Sequence, residues 1–417
     1  MRITTLLNKC YHLKSFVYKS ERLMEVDGQE ALIIKIEPRK NGRARCSSCN
    51  SPGSTYDHTT VRLFQFIAIW GYQVYFQYRM RRVDCPNCGI KVESVPWAEG
   101  KQQLTRPYQL FLASWAKRLS WLEVARSFRT SWAHVFQSVK MVVEYGLRHR
   151  SLEDIEAIGV DEIQYGQGHQ YLTLVYQIDS GSKRLLHIAQ KRTVKSLLSF
   201  FVKLGKEGCE QLKYVCSDMW KPYLKVIKRK APQALHILDR FHIVAKLNTA
   251  VDEVRRIEVK RLKDEGYEEV LKHSKYCFLK NESNLTEKQK TKLDDLLQYD
   301  LKSVKAYLLK ESFQAFWQYT SPYWAQKFLK RWCFKAMRSR LEPVKKFVRM
   351  VRRHEELMMN WFKAKKQYSS GVVEGLNRKV NLVTRKSYGF RSYETLKIAL
   401  FHAMGQLPEP EMTHRFF

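Results

Sequence analysis

The order of strands and helices predicted between residues 155 and 238 constrains the fold more than any other feature of the sequence. Apolar and β-branched runs predict strands at 155–160, 170–178, 183–189, 212–216 and 234–238. Helical spacing of apolar residues predicts helices at 193–204 and 221–229. This β-β-β-α-β-α-β order implies a mixed sheet with helices packed against it, within a multidomain α/β protein.

Two aspartates follow predicted strands of this sheet. Asp161 comes directly after IEAIGV, and Asp218 comes directly after LKYVCS. If these strands are neighbours, both carboxylates project from one edge of the sheet, which suits a hard divalent cation. The alternative is that each aspartate only caps the turn after its strand, and Glu162, Asp179 and Asp239 are competing candidates for the cation site.

A third acid is expected from a helix that crosses the same edge, and Glu374 in SSGVVEGLNRKVNLVTRKSYGF is the candidate. Gly371 and Gly375 flank it and allow a backbone or a ligand to approach closely. Polar and basic residues suited to phosphate groups follow it: Asn377, Arg378, Lys379, Arg385 and Lys386. Three such acids are able to hold two Mg²⁺ ions for in-line displacement at phosphorus. The alternative is that Glu374 is an ordinary ion-pair partner.

Residues 241–362 are expected to be almost wholly helical and highly charged, with few turn signals. Asp239 directly precedes this region and is expected to cap the helix that begins near Phe241. The region therefore has the character of an all-helical insertion between the last strand and the helix that carries Glu374.

The N-terminal 100 residues are predicted to be β-rich and contain two CxxC pairs, Cys46 with Cys49 and Cys85 with Cys88. Four thiolates suit one tetrahedral, structural Zn²⁺ ion, although the segment between the pairs is longer than the commonest spacing. The alternatives are four unrelated buried thiols, or replacement of one cysteine ligand by His58. The other cysteines lack paired spacing and are expected to be packing residues: Cys10, Cys209, Cys216, Cys277 and Cys333.

A helix-turn-helix is predicted after a helical stretch that begins near residue 104. Residues 121–128 form a short amphipathic helix, and Ser131 is expected to cap a second helix that extends to about residue 147. The second helix would present Trp132, His134, Gln137 and Ser138 to the major groove, with Arg126 and Arg129 available for phosphates. The alternative is a plain three-helix bundle in which the aromatic and valine side chains form a core.

The charge of the chain points to a polyanionic partner. Lys and Arg number 74 against 41 Asp and Glu, a net charge of +33 spread along the sequence. Nucleic acid is the partner that best matches such an excess. The first residues lack the apolar core of a signal peptide, and no window matches a membrane span, so we expect a cytoplasmic protein with reduced cysteines.

Four segments together resemble one known family. GVDEIQYGQGHQYLTLVYQID, VCSDMWKPYLKVI, LDRFHIVAKLNTAVDEVRR and SGVVEGLNRKVNLVTRKSYGFRSYETLKIALF, in this order, resemble the ISL-three group of bacterial insertion-sequence transposases. The cysteine quartet and the helix-turn-helix match the layout of that group, so the resemblance covers nearly the whole chain. Asp239, Arg240 and His242 match a recurrent stretch of the family whose role is not settled.

The resemblance implies both a fold and an activity. The fold would be a ribonuclease H-like domain interrupted by a helical insertion, with Asp161, Asp218 and Glu374 as the catalytic DDE triad holding two Mg²⁺ or Mn²⁺ ions. The activity would be binding of terminal inverted repeats in double-stranded DNA, followed by cleavage and strand transfer, by a homodimer on paired ends. Two alternatives are a domesticated transposase that acts as a DNA-binding regulator and a zinc-ribbon nuclease.

Five regions follow from these features together. They are a β-rich zinc module (1–100), a helix-turn-helix domain (101–150), the first part of the catalytic core (151–256), the helical insertion (257–362) and the C-terminal helices of the core with Glu374 (363–417).

Overall fold

The structure, a computed structural model, describes residues 2–411 except 167, 169, 268, 269, 369 and 388. The chain divides into two units, one formed by the residues up to Ser151 and from Asn381 onward, the other by Leu152–Val380. Each unit contains one mixed β-sheet. The predicted multidomain α/β class is therefore confirmed.

The sheet of the first unit has six strands in the order β1-β2-β5-β4-β3, with β6 paired to β5. The strands are β1 (Phe16–Val26), β2 (Gln29–Pro38), β3 (Ala44–Arg45), β4 (Pro52–Ile69), β5 (Tyr72–Cys85) and β6 (Gly89–Val92). Asp27 and Gly28 both have positive φ, 51° and 75°, between β1 and β2. This Asp-Gly pair fits a two-residue hairpin turn, whose twist matches that of the strands. One face of the sheet is closed by the fully buried rings of Phe64, Phe76 and Trp97.

Five helices lie wholly within the part of the first unit that the structure describes, and the first of them was not predicted. They are α1 (Ile3–Cys10), α2 (Arg106–Ala116), α3 (Trp121–Ser127), α4 (Trp132–His149) and α15 (Tyr393–Met404). The side chain of Ser120 accepts a hydrogen bond from the backbone of Glu123 in a capping box that starts α3. Ser131 caps α4 as predicted, since its side chain accepts from the backbone of His134 at 3.1 Å.

The sheet of the second unit has five strands in the order β11-β10-β7-β8-β9. The strands are β7 (Ala157–Gln164), β8 (Tyr171–Asp179), β9 (Ser182–Gln190), β10 (Tyr214–Ser217) and β11 (Leu235–Leu238). β7, β8 and β9 pair in antiparallel fashion, whereas β10 is parallel to both β7 and β11. Helices α5 (Val194–Gln211) and α6 (Lys221–Lys230) separate the last strands. The predicted element order of this region is confirmed.

The helical region after β11 is also confirmed. It contains α7 (Arg240–Asp264), α8 (Lys275–Leu279), α9 (Glu287–Leu296), α10 (Lys302–Gln314), α11 (Pro322–Met337), α12 (Glu342–Arg353) and α13 (Glu355–Lys363), with short 3₁₀ turns at Glu282–Asn284 and Ala315–Gln318. The buried carboxylate of Glu258 on α7 accepts from the backbone of Lys302 and Ser303 at 2.8 and 2.7 Å, which fixes the start of α10. Helix α14 (Ser370–Lys386) follows. In the described part of the chain, no helix has the length and apolar character that crossing a membrane requires.

Candidate active site and cysteine cluster

Strand register puts the candidate aspartates at matching positions on neighbouring strands. Parallel β10 and β7 pair Cys216 with Gly159, and the same register continued by two residues aligns Asp218 with Asp161. The expectation that Asp161 ends its strand was wrong, because β7 continues to Gln164 by pairing with β8. Asp161 does lie beyond the last residue that β7 pairs with β10, so the two aspartates still mark one edge of the parallel part of the sheet.

Helix α14 packs directly on β7 next to this edge. A Cβ atom at Gly159 would lie only 2.3 Å from Cγ2 of Val373, so the helix lies against the strand where a side chain is missing. One turn after Val373, the side-chain amide of Asn377 donates to Oδ2 of Asp161 at 2.5 Å. Oδ1 of Asn377 accepts from the Tyr176 hydroxyl on β8 at 2.8 Å. These contacts fix α14 relative to Asp161.

Glu374 lies on α14 three residues before Asn377, a spacing that puts both side chains on one face of the helix. Its side chain is 45% exposed, and Oε1 accepts from Arg378 at 2.7 Å. Asp161 is more enclosed, and burial raises the pKa of its carboxyl above the ordinary value. Asn377 thus links α14 to the partly buried Asp161, while Glu374 on the same helix is more exposed.

Asp218 directly follows β10, and its carboxylate accepts hydrogen bonds from two donors. Its Oδ2 accepts from Arg192 at 2.9 Å, and its Oδ1 accepts from the backbone N–H of Trp220 at 2.9 Å. The Arg192 guanidinium also pairs with Glu162, at 2.7 Å between Nε and Oε1, and lies 4.6 Å from the Trp220 ring centroid. Burial, and then the nearby Asp218, raises the pKa of Glu162 to about 7. Arg192 thus bridges two acids, Glu162 and Asp218.

The three proposed ligands do not converge on one point. Among the described residues, the cysteine quartet is the one group of three or more metal-ligating side chains whose ligand atoms lie within 4.8 Å of each other. Asp161, Asp218 and Glu374 are bonded to Asn377, Arg192 and Arg378 instead. Oxygen donors are nevertheless the ligands that Mg²⁺ and Mn²⁺ prefer, so the chemistry of the donor set fits a divalent cation.

The competing acids have structural partners. Asp239 caps α7 as predicted, accepting from the backbone of Phe241 at 2.7 Å, and lies 3.7 Å from His242 Nε2. The register of β10 with β11, continued by one residue, aligns Asp239 with Asp218. Asp179 accepts from Gln177 and ends antiparallel β8, so it lies at the other edge of the sheet.

The cysteine quartet forms a compact cluster in the first unit. The four Sγ atoms of Cys46, Cys49, Cys85 and Cys88 lie within 4.8 Å of one another, and those of Cys49 and Cys85 are 3.5 Å apart. Four sulfurs bound at about 2.3 Å to one tetrahedral ion would be roughly 3.8 Å apart. The backbone N–H of Ser48 donates to Sγ of Cys46 at 3.4 Å, as expected beside a thiolate. The cluster is therefore able to hold a metal ion.

The thiol pKa values show why four thiolates need a cation. A hydrogen bond from Ser51 lowers the pKa of Cys49 to about 6. The pKa of Cys88 is raised to about 12, because Cys88 forms a hydrogen bond with Cys49. One thiolate thus opposes ionisation of the next. His58 is not among the clustered ligands. Of the cysteines expected to be packing residues, Cys209, Cys216, Cys277 and Cys333 are buried, but Cys10 is exposed on α1.

The residues predicted to read DNA lie on α3, α4 and the turn between them. Arg126, Arg129 and Gln137 are exposed, and the Arg129 guanidinium donates to Gln29 at 2.8 Å. Trp132 is 43% exposed and stacks on Phe136, with ring centroids 5.4 Å apart. The expectation for Ser138 was wrong, because its side chain is buried and donates to the His134 carbonyl at 2.7 Å. Burial also lowers the pKa of His134.

The basic residues of α14 differ in their hydrogen-bond and ion-pair partners. Arg378, Lys379 and Arg385 are exposed, and Arg378 pairs with Glu374. Lys386 donates to the backbone carbonyl of Arg118, and burial lowers its pKa. Its ammonium group is therefore partly engaged within the protein.

Three residues that surround the carboxylates were missed in the sequence. Arg192 follows β9 within the sequence QKRT, Tyr176 is buried in the middle of β8, and the Tyr223 hydroxyl lies 2.6 Å from Thr173 Oγ1 near Glu162. Neither spacing nor composition distinguishes them from an ordinary surface arginine and two core tyrosines. Their positions beside the acids depend on how the strands and helices pack.

Comparison with known proteins identifies the family. A family model for ISL-three transposases matches residues 158–400, more than half of the chain. The chain is 27% identical over 352 residues to the transposase for insertion sequence element IS1001 of Bordetella parapertussis, covering 84% of this chain and 86% of that protein. It is 30% identical over 403 residues to the transposase for insertion sequence element IS1557 of Mycobacterium tuberculosis, covering 90% and 89%. The chain therefore belongs to the ISL-three family of DDE transposases, and it is an enzyme that acts in DNA transposition.

Proposed function

We propose that Asp161, Asp218 and Glu374 are the catalytic triad of this transposase. The alignment of Asp161 with Asp218 on neighbouring parallel strands carries the proposal. The contact of Asn377 with Asp161 supports assignment of Glu374, since Glu374 lies on the same face of α14. Glu162 and Asp239 lie nearby; Glu162 shares Arg192 with Asp218, and Asp239 caps a helix.

These carboxylates are the residues that would hold two Mg²⁺ or Mn²⁺ ions. When bound, such ions activate an attacking oxygen and stabilise the departing oxygen in displacement at phosphorus. The chain's own residues supply the positions: Asn377 and Tyr176 orient Asp161, while Trp220 orients Asp218 through its backbone N–H. Arg192 neutralises the charge of Asp218 through its hydrogen bond to Oδ2.

A ribonuclease H-like core is the fold we propose for the second unit. The arrangement of the sheet supports this proposal. Strands β7, β8 and β9 are antiparallel, and the parallel strands β10 and β11 lie on the other side of β7. The C-terminal end of α7 and helices α8–α13 would form the insertion that separates this sheet from the helix with Glu374. We assign residues 151–256 and 363–417 to the core and residues 257–362 to the insertion, although the residues from Asn381 onward group with the first unit.

Recognition of the terminal inverted repeats is assigned to a helix-turn-helix of α3 and α4, within residues 101–150. Trp132, His134 and Gln137 lie in the first two turns of α4, as readers of base edges do in such motifs. Phosphate contacts are assigned to exposed cations: Arg126, Arg129, Arg378, Lys379 and Arg385, with Lys386 as a partly engaged member. Cleavage and joining of two ends require paired ends, so a homodimer acting on DNA in the bacterial cytoplasm is proposed.

One Zn²⁺ ion is assigned to the cysteine cluster. The four sulfurs match its preferred ligands, and residues 1–100 form the β-rich module around it. The ion would have a structural role, since four protein ligands leave no open position for a substrate.

The test of the triad is cleavage of a duplex that carries the element's terminal repeat. Asp161→Asn, Asp218→Asn and Glu374→Gln each lower the Mg²⁺-dependent cleavage rate by at least about 10³-fold, because each removes a metal ligand without a change in size. Binding of the same duplex in Ca²⁺ is retained. Asp179→Asn is the matched control, since Asp179 ends a strand at the opposite edge, and it cleaves normally. A triad variant with substantial cleavage would remove that residue from the site.

A further inference from the structure

Helix α11 in the second unit combines a buried apolar side with an exposed side that is both aromatic and basic. The buried side consists of Ala325, Leu329, Trp332, Cys333 and Ala336. On the exposed side, Tyr323, Trp324 and Phe334 are 66%, 53% and 57% accessible. The buried side therefore anchors the helix, and these three large rings are not part of the core.

Cations alternate with these rings along the helix. They are Lys327, Lys330, Arg331, Lys335 and Arg338, all of them exposed. Spacings of three and four residues bring Tyr323, Lys327, Lys330 and Phe334 onto one stripe of the helix surface. At a rise of 1.5 Å per residue, the rings at the two ends of this stripe are roughly 16 Å apart. We call this set of rings and cations the α11 face.

The charge of the α11 face is not neutralised within its own helix. Residues 322–338 contain no Asp or Glu. The Lys327 Nζ lies 5.0 Å from the Trp324 ring centroid, and the Arg338 guanidinium lies 3.3 Å from the Phe334 ring centroid. Helix α12 differs, because its Arg349 and Lys345 pair with Glu342 at 2.9 and 3.8 Å. Two of the cations, Lys327 and Arg338, lie beside aromatic rings, and all five are exposed to an anionic ligand.

We infer that the α11 face binds an unpaired DNA strand, whose bases stack on the rings and whose phosphates meet the cations. Intact duplex offers phosphates but keeps its bases stacked on one another, so exposed rings add nothing to duplex binding. Single strands use both features, since every base has a face that stacks on an aromatic side chain. The inference deepens the proposed function, on which it rests, by naming the form of DNA that the second unit holds.

The position of α11 in the chain connects it with the carboxylates. Trp317 precedes the helix by five residues, and its ring centroid lies 5.8 Å from the guanidinium of Arg240. Arg240 directly follows Asp239, which the strand register aligns with Asp218. The aromatic end of α11 therefore follows a segment whose Trp317 contacts Arg240. Arg240 lies next to the edge of the sheet that carries the two proposed catalytic aspartates.

The experiment compares binding of the full-length protein to a fluorescent 20-nucleotide oligo(dT) and to a 20-base-pair duplex, by anisotropy. Trp324→Ala and Tyr323→Ala each weaken oligo(dT) binding at least about fivefold and change duplex binding by less than twofold, because only the single strand stacks on the rings. Trp324→Phe retains a ring and restores most of the oligo(dT) affinity. Lys330→Ala lowers the salt slope of oligo(dT) binding by about 0.7.

Tyr299→Ala is the matched control, since Tyr299 is a 50% exposed tyrosine in the same helical region but precedes Asp300, and it leaves oligo(dT) binding unchanged. Unchanged thermal melting of each variant excludes misfolding. Equal losses for single strand and duplex, unchanged oligo(dT) binding, or a change of oligomeric state alone would overturn the inference. Asp161→Asn separates the two proposals, because it abolishes cleavage and leaves oligo(dT) binding intact. Cleavage by that variant would contradict the triad and leave the α11 face standing.

Discussion

Gly159→Ala tests whether the contact between β7 and α14 positions Glu374. The added Cβ would lie 2.3 Å from Cγ2 of Val373, whereas unstrained carbon atoms approach to about 3.5–4.0 Å. The Val373 side chain, the helix or the strand must therefore shift by more than about 1 Å. Overpacking of this kind costs about 1–3 kcal/mol of stability. A displacement of about 1 Å in a catalytic group lowers activity by roughly 10²-fold.

The assays are Mg²⁺-dependent cleavage of terminal-repeat DNA and unfolding in urea. Val373→Ala removes the clashing methyl group, so Gly159→Ala combined with Val373→Ala recovers at least about tenfold of the lost cleavage rate. The two substitutions are then coupled by about 0.5–3 kcal/mol. Gly375→Ala is the matched control for stability, since a Cβ there meets open space, and it stabilises α14 by up to about 1 kcal/mol.

Normal stability and cleavage in Gly159→Ala would show that the helix does not depend on this contact. Purely additive effects in the double variant would lead to the same conclusion. A loss of stability in Gly159→Ala with full cleavage would mean that the contact supports the fold but does not position Glu374.

Two further predictions concern the cysteine cluster and the proposed DNA contacts. Protein purified without chelator contains one Zn²⁺ per chain by elemental analysis; Cys85→Ser abolishes zinc binding, and substitution of the exposed Cys10 by Ser does not. Chelation unfolds the cysteine module while the second unit stays folded. Absence of zinc would refute the assignment. If Gln137 makes a bidentate base contact, Gln137→Ala lowers the preference for terminal-repeat over random duplex by about 1–3 kcal/mol. Arg378→Ala weakens binding to both duplexes alike and lowers the salt slope of binding by about 1. The opposite pattern in a salt series would reverse these roles.

Local patterns in the sequence determined several features of this protein. The strand and helix order of the second unit, the capping by Ser131 and Asp239, and the cysteine pairs that meet at one cluster were all predicted correctly. Most of these features depend on residues close together in the chain: alternating or helical spacing, a polar side chain beside its own helix start, or two cysteines within one turn. The meeting of the two cysteine pairs also depends on the pairing of β4 with β5. Such short-range preferences act the same way in most tertiary contexts.

Contacts between distant residues were decided only by the tertiary structure. Nothing in the sequence predicts that Arg192 bridges Glu162 and Asp218, or that Asn377 bonds to Asp161, 216 residues away. The continuation of β7 beyond Asp161 required β8 as a partner. Strand register and helix packing follow from the fit of many side chains at once, so the geometry of the candidate site is fixed by the folded structure and not by any single motif.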